Sequence, residues 1–237
     1  MIGVIVPAHN EASVIGACLT AIAAAARTFA SSGEPVLVIV VADACCDSTA
    51  DIARSLGVTC LSIDAGNVGE ARRLGAEHAL ACGARWLAFT DADSIVPQDW
   101  LTSQLTWGAQ AVCGIVEVAD WSMLPSILRE RYDQLYDYRD GHRHVHGANL
   151  GVCAQAYRRA GGFAPLRVSE DVALVEALAS TGALIVWSGQ ARVKTSGRLE
   201  GRARGGFADF LSDLARREGL LADLLPDAIM IQPTTVR

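Results

Sequence analysis

Two aspartates one residue apart, Asp91 and Asp93, follow the apolar run Trp86–Thr90. Hard divalent cations prefer oxygen ligands, and Mg2+ typically takes one or two carboxylates and fills the rest of its shell with substrate phosphates. An Asp-x-Asp pair behind a buried strand therefore suits a nucleotide diphosphate held with a cation. The same pair also reads as capping for the helix expected after Pro97. A second acidic pair, Glu170-Asp171, stands after Ser169 at the head of a helical run that ends before Gly182. The helix dipole favours ionised carboxylates there, and the local pattern alone reads as an N-cap with first-turn acids.

Those residues need a scaffold, and the pattern supplies one. Apolar runs at Ile2–Val6, Val36–Val41, Val58–Ile63 and Trp86–Thr90 alternate with helical patterns at Glu11–Phe29, Ser48–Leu56 and Val68–Ala81. The runs are continuous rather than alternating, which marks a parallel sheet covered on both faces. Strand–helix alternation predicts an α/β, doubly wound, mostly parallel sheet with helices on both faces. The second half is less regular. Helices are expected at Pro97–Trp107, Met123–Tyr138, Ala154–Ala160 and Gly205–Glu218, and strands at Ala111–Val118, His144–Val152, Ala183–Trp187 and Ala191–Thr195. Without repeats or linkers, residues 1–237 read as one domain, with a nucleotide half at 1–95 and an acceptor half at 96–237.

In an open α/β sheet, ligands sit beyond the carboxyl ends of the strands. Four polar clusters fall there: Pro7-Ala8-His9-Asn10-Glu11, Asp43, Asp64-Ala65-Gly66-Asn67 and Asp91-Ala92-Asp93. Pro7 and Ala8 leave room for a base against the backbone. Glu11 and Asp43 can accept from ribose hydroxyls or a base N–H, although a first-turn acid and a turn former would look the same. Arg72 near a helix start opposes the dipole, which favours a contact to base or phosphate.

Six segments in order carry a family resemblance. They are Val4-Ile5-Val6-Pro7-Ala8-His9-Asn10-Glu11, the stretch from Val40 to Ala50 around Asp43, Asn67 to Ala76 around Arg72, Asp91-Ala92-Asp93, Gly147 to Gly151 with Gly161-Gly162-Phe163, and Glu170-Asp171. Together they resemble family 2 glycosyltransferases of the GT-A fold. The resemblance implies inverting transfer of a sugar from a nucleotide-diphosphate sugar to an acceptor hydroxyl, assisted by Mn2+ or Mg2+. It makes Asp93 the direct metal ligand and Asp91 a ribose contact or water-mediated support. Asp171 becomes the general base, with Glu170 orienting it or a substrate. It places Pro7, Ala8, Asn10, Glu11, Asp43 and Arg72 at the donor, and His146, Gly147 and Asn149 on the acceptor side.

Arg192, Lys194, Arg198, Arg202 and Arg204 crowd a glycine-rich stretch with Glu200 the one acid among them. Arginine forks suit phosphate oxygens, so residues 195–202 read as a lid on the diphosphate, with Arg198 and Arg202 as its contacts, or as a solvated basic loop. His142, His144 and His146 alternate and would share one face of a strand, where pocket lining, packing and metal binding are all open.

Composition excludes several classes. A net charge of −6 and 6% aromatic residues argue against nucleic-acid binding. Mean hydropathy is positive, yet no run reaches the roughly 20 apolar residues of a membrane span. Peripheral membrane contact stays open. Seven cysteines without a C-x-x-C pair read as buried thiols of a reducing compartment. With no signal peptide, a cytoplasmic location is expected. The competing readings are a sugar-phosphate nucleotidyltransferase, which would want a basic Gly-rich loop after the first strand, and a nucleotide-sugar-binding protein without transfer activity.

Overall fold

The computed structural model describes residues 1–30, 33–199, 201 and 206–220. In chain order the elements are β1 (Ile2–Ala8), α1 (Ile15–Phe29), β2 (Val36–Asp43), α2 (Thr49–Ser55), β3 (Thr59–Ile63), α3 (Val68–Ala81), β4 (Trp86–Phe89), α4 (Trp100–Leu105), β5 (Ala111–Val118), α5 (Ser126–Leu135), β6 (Leu150–Cys153), α6 (Ala154–Arg159), α7 (Glu170–Ser180), β7 (Ile185–Thr195) and α8 (Phe207–Arg217). A short 3-10 turn, Gly147–Asn149, leads into β6.

The chain divides into two compact units. The first, residues 1–119 and 137–196, holds a seven-stranded sheet in the order β3-β2-β1-β4-β6-β5-β7. Strands β3, β2, β1 and β4 are parallel neighbours, β5 and β7 are parallel, and β6 runs antiparallel between β4 and β5. Two apolar cores form, one per sheet face, as the continuous strands required. Ile2, Val4, Val6 and Ala8 of β1 meet α1 and α4 on one side, while Ile5 meets α3 on the other. Small residues let α3 lie close: a Cβ on Gly75 would come 2.6 Å from Ile5, and one on Gly3 would come 2.6 Å from Ala79.

The second unit, residues 120–136 and 197–237, is described through α5 and α8. Tyr132 is its centre, ringed by Trp121, Tyr136, Phe207 and Phe210. Pro125 marks the start of α5, so the helix expected from Met123 to Tyr138 is shortened at both ends.

Two other expectations change. The strand expected over His144–Val152 begins only at Leu150. Upstream, backbone groups bond to side chains instead of a ladder: His144 N–H donates to His142 Nδ1 at 3.2 Å, and Asp137 N–H to His144 Nε2 at 3.1 Å. The imidazoles of 142, 144 and 146 stack in series, with centroids 5.5 and 5.9 Å apart. The two strands expected at 183–187 and 191–195 are one strand, β7, whose pairing with β5 slips between Gly114 and Ile115. Ser188-Gly189-Gln190, which looked like a break, is that irregularity.

Asn149 closes the slip. Fully buried, it donates from Nδ2 to the Ile115 and Ala191 carbonyls at 2.8 Å each and accepts from Trp100 Nε1 at 3.0 Å. A Cβ on Gly114 would overlap its amide. The side chain is turned into the sheet, so it does not present the acceptor contact expected of it. Asn149→Ala strands three buried polar groups, at about 1–3 kcal/mol each. Thermal unfolding should show a Tm lowered by roughly 10 °C, and an unchanged Tm would refute this bracing role.

Candidate active site

The clusters at the carboxyl ends of β1, β2 and β4 converge as their parallel order demands. Asn10, just past β1, is left-handed at φ 54°, a conformation Asn tolerates better than most residues. Its Oδ1 accepts from Cys46 N–H at 2.8 Å, and its own N–H donates to Cys45 Sγ at 3.4 Å. His9 donates from Nδ1 to the Asp43 carbonyl at 2.7 Å. The loops after β1 and β2 are thus tied to each other, beside Pro7 and Ala8.

Asp43 is buried, and its carboxylate is heavily engaged. Oδ1 accepts from Ala65 N–H at 2.7 Å and Gly66 N–H at 2.9 Å, and Oδ2 from Asn67 N–H at 2.7 Å. It shapes the turn into α3, which Asn67 caps by accepting from Glu70 N–H. Asn67 also donates to the Pro165 carbonyl at 3.0 Å, and Gly69 has no space for a Cβ against the 164–166 backbone. The segment leading to α7 is therefore clamped on the start of α3.

Glu11 is buried, with its N–H donating to Thr49 Oγ1 at 2.8 Å. Cys18 of α1 locates the acidic group. Its thiol donates to the Asp91 carbonyl at 3.4 Å and is pushed far up, first by burial and then by the charges of Asp93, Asp91 and Glu11. Those three negative charges thus act on the same buried thiol. Asp93 Oδ1 accepts from Thr195 Oγ1 at 3.2 Å, so β7 also reaches the pair.

Arg72 does not head for a base or phosphate. Its side chain is 5% exposed, with Nη2 on Asp91 Oδ1 at 2.6 Å and Nη1 on Glu170 Oε1. The guanidinium lies over the Phe163 ring, 5.9 Å from its centroid. A Cβ on Gly147 would fall inside it. Gly147 N–H donates to Asp171 Oδ2 at 2.7 Å, and Val172 N–H donates to Oδ1 at 2.8 Å. The charge of Asp171 also reaches Cys113, which burial first and then this carboxylate push up to about 12. Asp91, Arg72, Glu170, Gly147 and Asp171 form one continuous contact path.

Glycosyl transferase family 2 is the family whose sequence profile matches residues 3–160. The chain belongs to that family. No curated protein is a significant match. Among solved structures, this family 2 domain is similar to the mannosyltransferase PcManGT of Pyrobaculum calidifontis in complex with GDP-Man and Mn2+, at TM-score 0.64 and 20% identity over 98% of this chain and 64% of that one. It is also similar to S. aureus TarS 1–349 in complex with UDP-GlcNAc, at TM-score 0.63 and 15% identity over 94% and 71%. A third is M. tuberculosis glucosyl-3-phosphoglycerate synthase, at TM-score 0.56 and 16% identity over 98% and 82%. These likenesses show the GT-A fold. No described helix is long and apolar enough to cross a membrane.

Asp91 and Asp93 supply two carboxylates, the oxygen chemistry a hard divalent cation prefers, and Asp91 spends one oxygen on Arg72. Among the described residues, no group of three metal-ligating side chains is assembled.

The sequence reading missed the joining of the two acidic motifs. It also missed that the non-glycine left-handed residues among the described ones, Asn10, Ala44 and Ser169, sit beside Glu11, Asp43 and Glu170. Strained backbone concentrates where function demands a fixed geometry. Of the expected lid contacts, Arg198 belongs to the second unit, and Arg202 lies outside the described residues.

The histidine tract sets a pH dependence. Burial pushes His142, His144 and His146 below their usual 6.5, and His146 down to about 3, with neighbouring imidazoles adding to the effect on the last two. The unfolded chain then binds protons that the folded chain refuses. Stability is full above pH 6.5 and falls as pH drops from there toward 3. His146, held down to about 3, stays neutral at pH 5, where an unfolded imidazole would be protonated, at a cost of about 2 kcal/mol. The Tm should drop between pH 7 and 5, and the drop should shrink in His142→Gln. Equal slopes in the two proteins would refute the assignment.

Proposed function

We propose that this family 2 domain transfers a sugar, with inversion, from a nucleotide-diphosphate sugar to an acceptor hydroxyl. The observation that carries the reading is the meeting of two acidic motifs far apart in sequence: Asp91 and Glu170 share the one guanidinium of Arg72. The donor lies along the Pro7–Glu11 loop and Asp43, in the 1–95 half. The acceptor approaches His146 and Gly147 in the later half.

Asp171 takes the acceptor proton as the acceptor oxygen attacks the anomeric carbon. The bond from that carbon to the diphosphate oxygen breaks, and the electron pair leaves with the nucleotide. Gly147 N–H holds Oδ2, so the carboxylate is aimed before substrate arrives. A cation held by Asp93, with Asp91 beside it, would neutralise charge on the leaving diphosphate. All seven cysteines are free thiols, which supports the cytoplasm as the location.

The test is calorimetric titration with UDP, GDP, dTDP and CMP, each with and without Mn2+. Tight, metal-dependent binding of one of the diphosphates is expected, and it names the base. Failure of all four to bind overturns the donor site.

A further inference from the structure

We infer that Arg72 is a positioning residue that sets the aim of Asp171, and that Glu170 and Gly147 are parts of the same device. The inference rests on Asp171 being the base. Three independent observations carry it. The side chain is 5% exposed and both outer nitrogens are already paired with carboxylates, so the guanidinium is built into the protein interior. Its two outer nitrogens are divided between Asp91 on the donor side and Glu170 on α7. Its flat face fills the space a side chain at 147 would occupy, and it is the Gly147 N–H that fixes Asp171 Oδ2.

The arrangement works by shape. Glu170 anchors the first turn of α7 to Arg72 of α3, and with it the backbone of the adjacent Asp171. Gly147 lies against the guanidinium and donates its N–H to the Asp171 carboxylate, so a shift of Arg72 moves the N–H that aims the base.

The test counts turnover per nucleotide-binding site, with the sites counted by calorimetric titration of the same preparation. Gly147→Ala should lower kcat per site by about 10²-fold while nucleotide affinity and the donor KM stay within about threefold of wild type. Glu170→Gln, nearly isosteric, should show the same split, and it serves if Gly147→Ala fails to fold. Arg72→Lys, which keeps the charge but loses the fork, should lower kcat per site as well. A merely structural role would reduce the number of binding sites and leave kcat per site where it was. A kcat per site within about threefold of wild type in Gly147→Ala and Glu170→Gln overturns the inference. Undiminished transfer by Asp171→Asn would instead overturn the base assignment beneath it.

Discussion

Asp171→Asn should lower kcat by about 10³-fold, within the range a positioned general base contributes, while the protein folds and binds nucleotide as before. The exchange is nearly isosteric. One amide oxygen can still accept from Gly147 N–H, the contact that wild type makes at 2.7 Å. What disappears is an oxygen able to take the acceptor proton. Asp171 is also the α7 first-turn acid that is not buried, whereas Glu170 is 4% exposed and paired with Arg72. That contrast makes Asp171 the group an acceptor can reach. The measurement is steady-state transfer, beside calorimetric titration of the nucleotide named by the wild-type experiment. A kcat within about threefold of wild type would retire Asp171 as the base. A joint loss of nucleotide binding would move it to the donor.

Asp93→Ala should weaken metal-dependent diphosphate binding by at least about 10²-fold, since loss of an outer-shell partner alone costs 10–100-fold at many metal sites. Asp93 is a cleaner probe than Asp91. Removing Asp91 takes away one of the two carboxylates paired with the buried guanidinium and leaves it to Glu170 alone. Removing Asp93 costs Thr195 Oγ1 its acceptor but leaves Ser94 Oγ donating to Thr195 Oγ1 at 3.0 Å and the Arg72 ion pairs in place. The expected result is a stable protein in which Mn2+ no longer improves nucleotide affinity. Retained Mn2+ dependence would place the metal elsewhere.

Much of this was legible where the information is local. The bounds of α3, Val68–Ala81, follow from the Asn67 cap and the small residues behind it. Those of β5 follow from an unbroken apolar run. The order of acidic motifs was visible because each sits directly after a strand or at a helix head. What stayed hidden depends on partners far along the chain. Nothing local says that Asp43 spends its oxygens on three amides of the next turn, that Asn149 turns inward to fill a slip beside Gly114, or that Arg72 meets Glu170. The histidine tract misled because alternation was read as a strand, whereas its backbone groups bond to imidazoles.

The sheet is two parallel blocks joined by β6, a strand of four residues bonded to β4 on one side and β5 on the other. Among the described strands, no other lies between β4 and β5. The backbone amides of Leu150–Cys153 can reach deuterated solvent only when both blocks separate, so their exchange reports the global unfolding free energy and not a local opening. This four-residue stitch is in this sense a gauge of the whole fold: a ligand that stabilises the domain will slow these amides by the stabilisation it confers.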